Sequence, residues 1–397
     1  MTNDLSTKLL HTGDGQFAKK IAKTASVAET LPIYHSSVFA FDDIDAVDAI
    51  YQKEAQGYIY SRIAAPNADA VAEILAAADG GKAALVFASG MAAITTTILS
   101  FVGTGDHAIA SNVLYGGVQD FFANELPRLG IEVTFLDLTT EDVAAHIRPN
   151  TKLVYTEIIS NPLMAVPDVE ALAKTAHERG VKLLVDNTFA TPVIARPLAL
   201  GADVVLYSAT KYLGGHSDIV GGAAVGRTEL VDIIRRYLVL YGGVLGPQDC
   251  WLLARSLRTL ELRMRKHSEN ALAVARFLES HPQIEKVYYP GLESSPSHGL
   301  AKRQFGVGLF GGMLSVDLHG GESAADQLTR ALDKITIVPS LAGTATTVSW
   351  AARTSHRFYK REDRLRVGIS DGQLRFSVGL EAEKDIIAEL SAALGAL

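Results

Sequence analysis

Short apolar runs alternate with amphipathic stretches through the middle of the chain. The runs of strand length are "AALVFAS" (83–89), "HAIASN" (107–112), "IEVTFLD" (131–137), "KLVYTEI" (152–158), "KLLVDNT" (182–188) and "DVVLYSA" (203–209). Between two of them, "DVEALAKTAHERG" places Leu172 and Ala176 one helical turn apart and ends at Gly180, which predicts a helix with a glycine C-cap. This alternation predicts an α/β fold with a mostly parallel sheet covered on both faces, which binds ligands at the carboxyl ends of its strands.

The pattern changes on either side of this region. The first sixty or so residues look irregular, with 29–43 reading as extended chain. After Gly246-Pro247 a long helical pattern leads into a second part with strand-like segments at 311–320 and 373–380. A chain of 397 residues has room for two domains. We therefore predict a large domain over 63–256 and a smaller C-terminal α/β domain over 257–397, preceded by an arm over 1–62.

An uncharged run from Ala83 to Gly105 is long enough to cross a bilayer. Its Ser, Thr and Gly content favours a buried strand, a tight turn and a buried helix instead. The N-terminus has no basic segment followed by an apolar run, so we expect no secretory signal. A net charge of −7 without blocks of like charge argues against nucleic acid or anionic membranes as partners.

The single cysteine, Cys250, excludes an intrachain disulfide and fits a reducing compartment, so we expect a cytoplasmic protein. The chain has no CxxC pair, HExxH motif or EF-hand loop, and we predict no dedicated metal site.

Two turns after predicted strands could bind an anion or a carbonyl group. In "ASGMAAIT" the backbone N–H groups of Gly90 and Met91 would point out of a helix N-terminus, as in a phosphate site or in an ordinary tight turn. In "LYSATKYLGG" one lysine, Lys211, follows Ser208 and Thr210. Taken alone, this lysine suits a phosphate contact or a solvated loop equally well.

Two charged residues end or interrupt apolar strands. Asp186 closes "KLLVD", where a buried carboxylate needs a cation or donors, or caps the next turn. Arg375 lies in "GQLRFSVGL", where a half-buried guanidinium needs a carboxylate from a ligand or from a structural Glu. One cofactor accounts for all four features. Pyridoxal phosphate (PLP) needs an anion site, a lysine that forms an imine with its aldehyde and an acid beside its ring nitrogen, and an arginine then holds the amino acid carboxylate.

The motifs resemble those of the transsulfuration (Cys/Met metabolism) family of PLP-dependent enzymes. The similarity runs nearly end to end, through "GYIYSR", "ASGMAAITTT", "YGG", "NPLMAVPDV", "VDNTFATP", "SATKYLGGHSDIVGG" and "GISDGQLRFSVGLE". The resemblance implies the PLP-transferase fold of the aspartate aminotransferase type (fold type I). It also implies a homo-oligomer, with a dimer as the smallest active unit and a tetramer (a dimer of dimers) as the usual assembly.

The same resemblance implies a role for each matching residue. Lys211 forms the imine and moves protons, Asp186 pairs with the ring nitrogen, and Tyr115 stacks on the ring and activates the leaving group. The phosphate is held by Gly90, Met91, Ser208 and Thr210, and by Tyr60 and Arg62 from the arm of the neighbouring subunit. The substrate carboxylate is bound by Asn161, Ser340 and Arg375.

The implied reaction is γ-elimination from a sulfur amino acid such as L-methionine or L-cystathionine, giving 2-oxobutanoate, ammonia and a thiol. The alternative is γ-replacement on an activated homoserine, or elimination of an unusual γ leaving group. The same motifs serve both reactions. We favour elimination because the chain lacks the extra length of many acylhomoserine sulfhydrylases.

The chain departs from the family pattern in three places. Gly116 follows the stacking tyrosine where methionine γ-lyases usually have a cysteine, and 64–67 reads "AAPN" instead of "GNPT". After Ser340, Ala345 replaces an expected glutamate and Trp350-Ala351 an expected His-Pro. These changes bear on the substrate and leave the cofactor prediction intact.

Two readings from other classes compete with an amino acid enzyme. "GISDG" (368–372) matches the GxSxG elbow of α/β-hydrolases, but the last histidine, His356, precedes Ser370 and breaks the usual triad order. A non-catalytic metabolite-binding protein of the same fold would not need Lys211, Asp186 and Arg375 together.

Overall fold

The computed structural model describes residues 4–12, 28–357 and 359–397. In this part of the chain the larger sheet contains β1 Ala83–Phe87, β2 His107–Ser111, β3 Glu132–Leu136, β4 Thr151–Glu157, β5 Lys182–Asp186, β6 Val204–Ser208 and β7 Gly222–Gly226. Their order is β1-β7-β6-β5-β4-β2-β3. The strands from β6 through β5, β4 and β2 to β3 run parallel. β7 lies antiparallel between β1 and β6.

Each strand predicted for the large domain is present, and the mostly parallel sheet is confirmed. β7 was missed, because its sequence "GAAVG" has a single branched residue, Val225, and no aromatic residue to mark a strand. Successive strand residues enter two different buried clusters, with Leu184 and Leu206 on one face and Val185 and Val205 on the other. Both faces of the sheet are therefore covered, which leaves the strand ends as the place for a ligand.

Helices cover this sheet and precede it. They are α1 Leu5–His11, α2 Ile44–Tyr51, α3 Pro66–Asp79, α4 Gly90–Leu99, α5 Gly116–Asp120, α6 Leu126–Arg128, α7 Val169–His177, α8 Thr191–Ile194 and α9 Thr228–Tyr241. A π-helical turn, Phe121–Glu125, joins α5 to α6, and 3₁₀ turns occupy Val143–His146 and Pro197–Leu200. The helix predicted at 168–180 is α7, and Gly180 after it has a positive φ of 69°.

The uncharged run 83–105 forms strand β1, a Ser-Gly turn and helix α4, as predicted. No helix in the described residues is both long and apolar enough to span a bilayer. The irregular reading of the first sixty residues holds for 29–43, which contains only an isolated bridge between Val38 and Tyr60, but it missed α1 and α2. Residues 13–27 of the predicted arm lie outside the described residues.

The long helical pattern after Pro247 forms two helices, α10 Pro247–Leu257 and α11 Leu260–Glu279. The second sheet, in the order β10-β11-β12-β9-β8, contains β8 Ile284–Tyr288, β9 Met313–Leu318, β10 Thr336–Ile337, β11 Thr347–Trp350 and β12 Leu374–Ser377. Around it lie α12 His298–Phe305, α13 Gly321–Ala331, a 3₁₀ turn Ala351–Arg353, α14 Arg361–Arg366 and α15 Glu383–Leu394. The smaller C-terminal α/β unit is thus present, with β9 and β12 on the two predicted strand segments.

Candidate active site

A cavity of about 250 Å³ lies where the carboxyl ends of the large-sheet strands meet the second sheet. It receives residues from both parts of the chain. From the large domain it is lined by Ser89, Gly90, Met91, Ile94, Tyr115, Glu157, Ile159, Asn161, Asp186, Thr188, Phe189, Ser208, Thr210 and Lys211. From the second part it is lined by Pro339, Leu341, Ser355 and Arg375.

The turn between β1 and α4 forms one end of the cavity. Ser89 caps α4, because its Oγ accepts a hydrogen bond from the backbone N–H of Ala92 at 3.0 Å. A Cβ at Gly90 would lie 2.7 Å from the Cβ of Ser208, and a Cβ at Gly222 would overlap the carbonyl oxygen of Ser89. Only glycine therefore lets this helix N-terminus approach the ends of β6 and β7 so closely, with its N–H groups near the hydroxyl of Ser208.

Asp186 is buried at the end of β5 and faces the cavity. Its Oδ1 accepts a hydrogen bond from the backbone N–H of Thr188 at 2.9 Å, and the hydroxyl of Tyr155 lies 3.5 Å from Oδ2. Burial raises the pKa of Asp186 to about 6, against the hydrogen bonds from Thr188 and Tyr155 that lower it. No basic side chain forms an ion pair with Asp186 in the described part of the chain, so the carboxylate is open to a cation in the cavity.

Lys211 follows β6 and points toward the second part of the chain. Its Nζ donates a hydrogen bond to the Oγ of Ser340 at 2.7 Å. Burial, together with the positive charge of Arg375, lowers the pKa of Lys211 from 10.5 to about 8. A substantial fraction of this amine is neutral near pH 8, as a nucleophile that attacks a carbonyl group requires.

Arg375 is 3% exposed on β12, and burial lowers its pKa to about 10. Its Nη1 donates a hydrogen bond to the side-chain Oδ1 of Asn161 at 2.7 Å, whereas its Nε has no hydrogen-bond partner among the described residues. No described carboxylate forms an ion pair with Arg375, so the guanidinium is not held by a structural Glu. A buried, charged guanidinium with a free donor at a cavity wall suits a carboxylate ligand.

Gly116 and the altered segment after Ser340 are in direct contact. A Cβ at Gly116 would overlap the carbonyl oxygen of Ser355, whose Oγ lies 2.9 Å from Nδ1 of the buried His356. Trp350 anchors the start of this stretch through a 2.7 Å hydrogen bond from Nε1 to the carbonyl oxygen of Asp371. The two departures from the family pattern therefore form one structural feature, in which the segment occupies the space of a residue-116 side chain.

Ten of the twelve predicted site residues meet here, since Ser340 contacts Lys211 and nine others line the cavity. Tyr60 and Arg62 do not line it. The Arg62 guanidinium lies 5.5 Å from the Tyr60 ring centre, and its Nη1 donates a 2.6 Å hydrogen bond to the carbonyl oxygen of Val239. Their assignment to the site of a neighbouring subunit stays a prediction.

Sequence reasoning missed several lining residues, of which Glu157 is the most informative. It is a lone carboxylate at the end of the apolar strand "KLVYTE", the same signal that singled out Asp186. Thr188, two residues after Asp186, carries no chemical signal in the sequence, although its Oγ1 accepts a 2.8 Å hydrogen bond from the backbone N–H of Ser208. Ser355 had no local signal, since only the tertiary fold brings it to Gly116.

The residues at this cavity fit pyridoxal phosphate. The glycine turn and the hydroxyls of Ser208 and Thr210 form an anion cradle at a helix N-terminus. Asp186 supplies a buried carboxylate without a cationic partner in the described part of the chain, and Lys211 supplies an amine that is partly neutral near pH 8. No cluster of side chains able to hold a metal ion was found among the residues that the structure describes.

The chain is similar to known enzymes over nearly its full length. It is 43% identical to L-methionine gamma-lyase of Porphyromonas gingivalis (strain W83) over 92% of both chains. It is 46% identical to cystathionine gamma-lyase of Bacillus subtilis (strain 168) over 85% of this chain and 89% of that protein. Among solved structures, a Campylobacter jejuni protein provisionally assigned as O-acetylhomoserine (thiol)-lyase matches with a TM-score of 0.92 and 29% identity, over 99% and 100% of the two chains.

That Campylobacter structure carries N'-pyridoxyl-lysine-5'-monophosphate, a lysine joined to the cofactor. A family model described as "Cys/Met metabolism PLP-dependent enzyme" matches residues 6–395. The PLP-transferase fold of type I and the cofactor, both expected from the motifs, are thereby confirmed. The chain belongs to the Cys/Met metabolism family of PLP-dependent enzymes.

Proposed function

We propose that the protein is a PLP-dependent carbon–sulfur lyase that carries out γ-elimination on a sulfur amino acid such as L-methionine or L-cystathionine. The products are 2-oxobutanoate, ammonia and a thiol. The observation that carries the proposal is the meeting of Lys211, Asp186 and Arg375 at one cavity. The similarity to two γ-lyases at more than 40% identity supports the choice of reaction.

Each side chain has a distinct part in binding. The N–H groups of Gly90 and Met91, with the hydroxyls of Ser208 and Thr210, bind the cofactor phosphate. Asp186 binds the protonated ring nitrogen through its carboxylate. When bound, PLP supplies an electron sink that makes the protons on the reacting carbons of the amino acid substrate acidic.

The remaining residues act on the substrate. Arg375 and Asn161, held together by their 2.7 Å hydrogen bond, bind the carboxylate, and Ser340 assists them. Lys211 Nζ takes the α proton as a neutral amine and later returns a proton to the product. Tyr115, which lines the cavity, would stack on the ring of bound PLP, and its hydroxyl would protonate the departing sulfur. Pro339, Leu341 and Phe189 provide apolar walls that exclude water.

A second candidate is γ-replacement on an activated homoserine, favoured by the structural match to the Campylobacter enzyme. The deciding experiment measures 2-oxobutanoate release from L-methionine, L-cystathionine and O-acetyl-L-homoserine, each with and without cysteine. Release from a thioether that cysteine hardly changes supports the lyase. Release from the ester alone, suppressed by cysteine as a thioether forms, overturns the lyase in favour of the synthase. If PLP-loaded protein releases no 2-oxobutanoate from any of the three substrates, the result points to an unusual γ leaving group.

The division into an arm over 1–62, a large domain over 63–256 and a small domain over 257–397 is part of the same proposal, with a cytoplasmic homotetramer as the working form. In it, Tyr60 and Arg62 complete the phosphate site of the neighbouring subunit. Mixing inactive Arg62→Ala and Lys211→Ala variants tests this, because a hybrid dimer would then contain one fully native site. Recovery of activity on mixing supports the shared site, and its absence from hybrids shown to form contradicts it.

A further inference from the structure

A second carboxyl group lies beside Asp186 at the cavity. Glu157 ends β4 and Asp186 ends β5, and the parallel register pairs these two residues directly. Each is 8% exposed, and each lines the cavity. The roles proposed above use Asp186 and leave Glu157 without one.

Glu157 connects two loops that carry predicted substrate and cofactor contacts. Its Oε1 accepts a hydrogen bond from the backbone N–H of Tyr115 at 2.7 Å. The backbone N–H of Asn161 also lies near this carboxyl group and lowers its pKa. Tyr115 follows β2 and Asn161 follows β4, so one side chain fixes the start of both loops at the cavity edge.

Two buried carboxylates side by side cannot both remain ionised without nearby positive charge. Burial first, and the neighbouring Asp186 second, raise the pKa of Glu157 well above its ordinary value, whereas the pKa of Asp186 rises only to about 6. Burial lowers the pKa of His356 to about 4, which leaves this imidazole neutral at pH 7. The titratable or charged groups that act on Glu157 are Tyr155 on its own strand and Asp186, Tyr359 and Arg375 on other elements. The positive charge of Arg375 lowers the pKa of Glu157, but burial and Asp186 outweigh it.

We propose that Glu157 is a positioning residue: a neutral carboxyl group that fixes Tyr115 and Asn161 and leaves Asp186 as the single negative charge beside the cofactor ring. This inference rests on the proposed function for the roles of Tyr115 and Asn161. Its charge assignment rests only on the two adjacent strand ends and the PLP site between them.

Matched isosteric variants separate the two carboxyl groups. Glu157→Gln keeps an oxygen acceptor for Tyr115 and the neutral charge, and Asp186→Asn removes the charge at the neighbouring position. We expect the pH titration of the bound cofactor's absorbance to stay within about 0.3 of the wild-type midpoint in E157Q, and to shift by more than about one pH unit in D186N. We also expect the apoprotein of D186N, and not that of E157Q, to bind PLP at least about tenfold more weakly.

Glu157→Ala tests the positioning role. It should raise KM and lower kcat, together reducing kcat/KM by about fiftyfold or more, because both loops lose their shared acceptor. In E157Q, kcat/KM should lie within about fivefold of the wild-type value. The midpoint of the absorbance titration should stay close to that of wild type in both Glu157 variants. Should E157A fail to fold, E157Q and D186N still decide the charge assignment.

Two results would overturn the proposal. An E157Q titration shifted as far as that of D186N would show that Glu157 carries charge in the holoenzyme. Wild-type KM and kcat in folded E157A would show that it positions nothing. An enzyme inactive on all three substrates would count against the proposed function alone, since absorbance and PLP affinity need no turnover.

Discussion

The two walls of the active-site cavity are built in different ways. The wall from the large sheet consists of strand ends and the turns that follow them. Its strands are apolar and covered on both faces, so the sheet holds the backbone, and with it the side chains at the strand ends, in place. The wall from the second part depends on a few contacts between distant residues: Lys211 with Ser340, Asn161 with Arg375, and Gly116 with Ser355. The first wall therefore inherits its geometry from the fold, and the second acquires its geometry when the two parts of the chain pack together.

This difference separates two kinds of chemistry. The residues that we propose to hold the cofactor lie on the strand-end wall, where a fixed anion cradle and a fixed carboxylate benefit from a rigid sheet. The residues from the second part are proposed to face the substrate, so we expect changes there to alter what is bound without removing the cofactor. Variants on the strand-end wall should therefore change the PLP absorbance, whereas variants on the second wall should change only the kinetics.

The largest effect is expected on the strand-end wall. Lys211→Ala should abolish the absorbance of covalently bound PLP and lower kcat by at least about a thousandfold, because the amine is both the attachment point and the base. Absorbance spectra and initial rates check this, with the exposed Lys174→Ala on α7 as the matched control. A K211A protein that keeps the spectrum and turns over would contradict the assignment.

On the second wall, Arg375→Gln should raise KM by about a hundredfold, since a substrate carboxylate loses its charged partner. The PLP spectrum should be preserved, because Arg375 contacts Asn161 and none of the phosphate residues. Steady-state kinetics test this beside Arg330→Gln, an exposed arginine paired with Asp326. An unchanged KM, or loss of the spectrum with KM intact, would remove the distinction between the walls.

The contact of Lys211 with the second wall also predicts a pH dependence. Because the pKa of Lys211 is lowered to about 8, the fraction of Lys211 in the neutral form increases as the pH rises through 8. The rate of covalent PLP capture by the apoprotein should rise about tenfold per pH unit below 8 and level off above it. An N-acetyl-lysine amide control should keep rising toward about pH 10. A protein profile that follows the free amine would show that burial does not act on Lys211.

The smallest effect tests the fit of the two walls at Gly116. Gly116→Ala puts a Cβ onto the carbonyl oxygen of Ser355, so the segment 351–357 must move. We expect kcat/KM to fall about fivefold with the PLP spectrum retained. Gly299→Ala, near the start of α12, is the control because its Cβ meets nothing within 4 Å. Equal effects of the two substitutions would show that the Gly116 contact is unimportant.

The strand-end wall was largely predictable from sequence. Apolar runs located β1, β5 and β6, and a charged or small residue at the end of each run marked Gly90, Asp186 and Lys211. The same rule applied to "KLVYTE" would have found Glu157. Three of these strands lie side by side in the order β6-β5-β4, and only β7 separates β1 from β6, which brings their local signals to one edge.

The second wall was less predictable for a physical reason. Arg375 was visible as a cation in an apolar strand, but its partner Asn161 lies 214 residues away and needed the family resemblance. Ser355 and Leu341 carry no chemical signal of their own, and the contact of Ser355 with Gly116 exists only after the domains pack. The antiparallel strand β7 was lost because glycine and alanine serve close packing there and resemble a loop.

The meeting of Gly116 with the Ser355 carbonyl also constrains how such an enzyme can change by mutation. A backbone atom fills the space, so no rotamer of a residue-116 side chain can avoid it. Substitutions at position 116 and in 351–357 are thus strongly non-additive, and their order matters. A relative with cysteine at this position could accept the present segment only after, or together with, replacement of that cysteine by glycine.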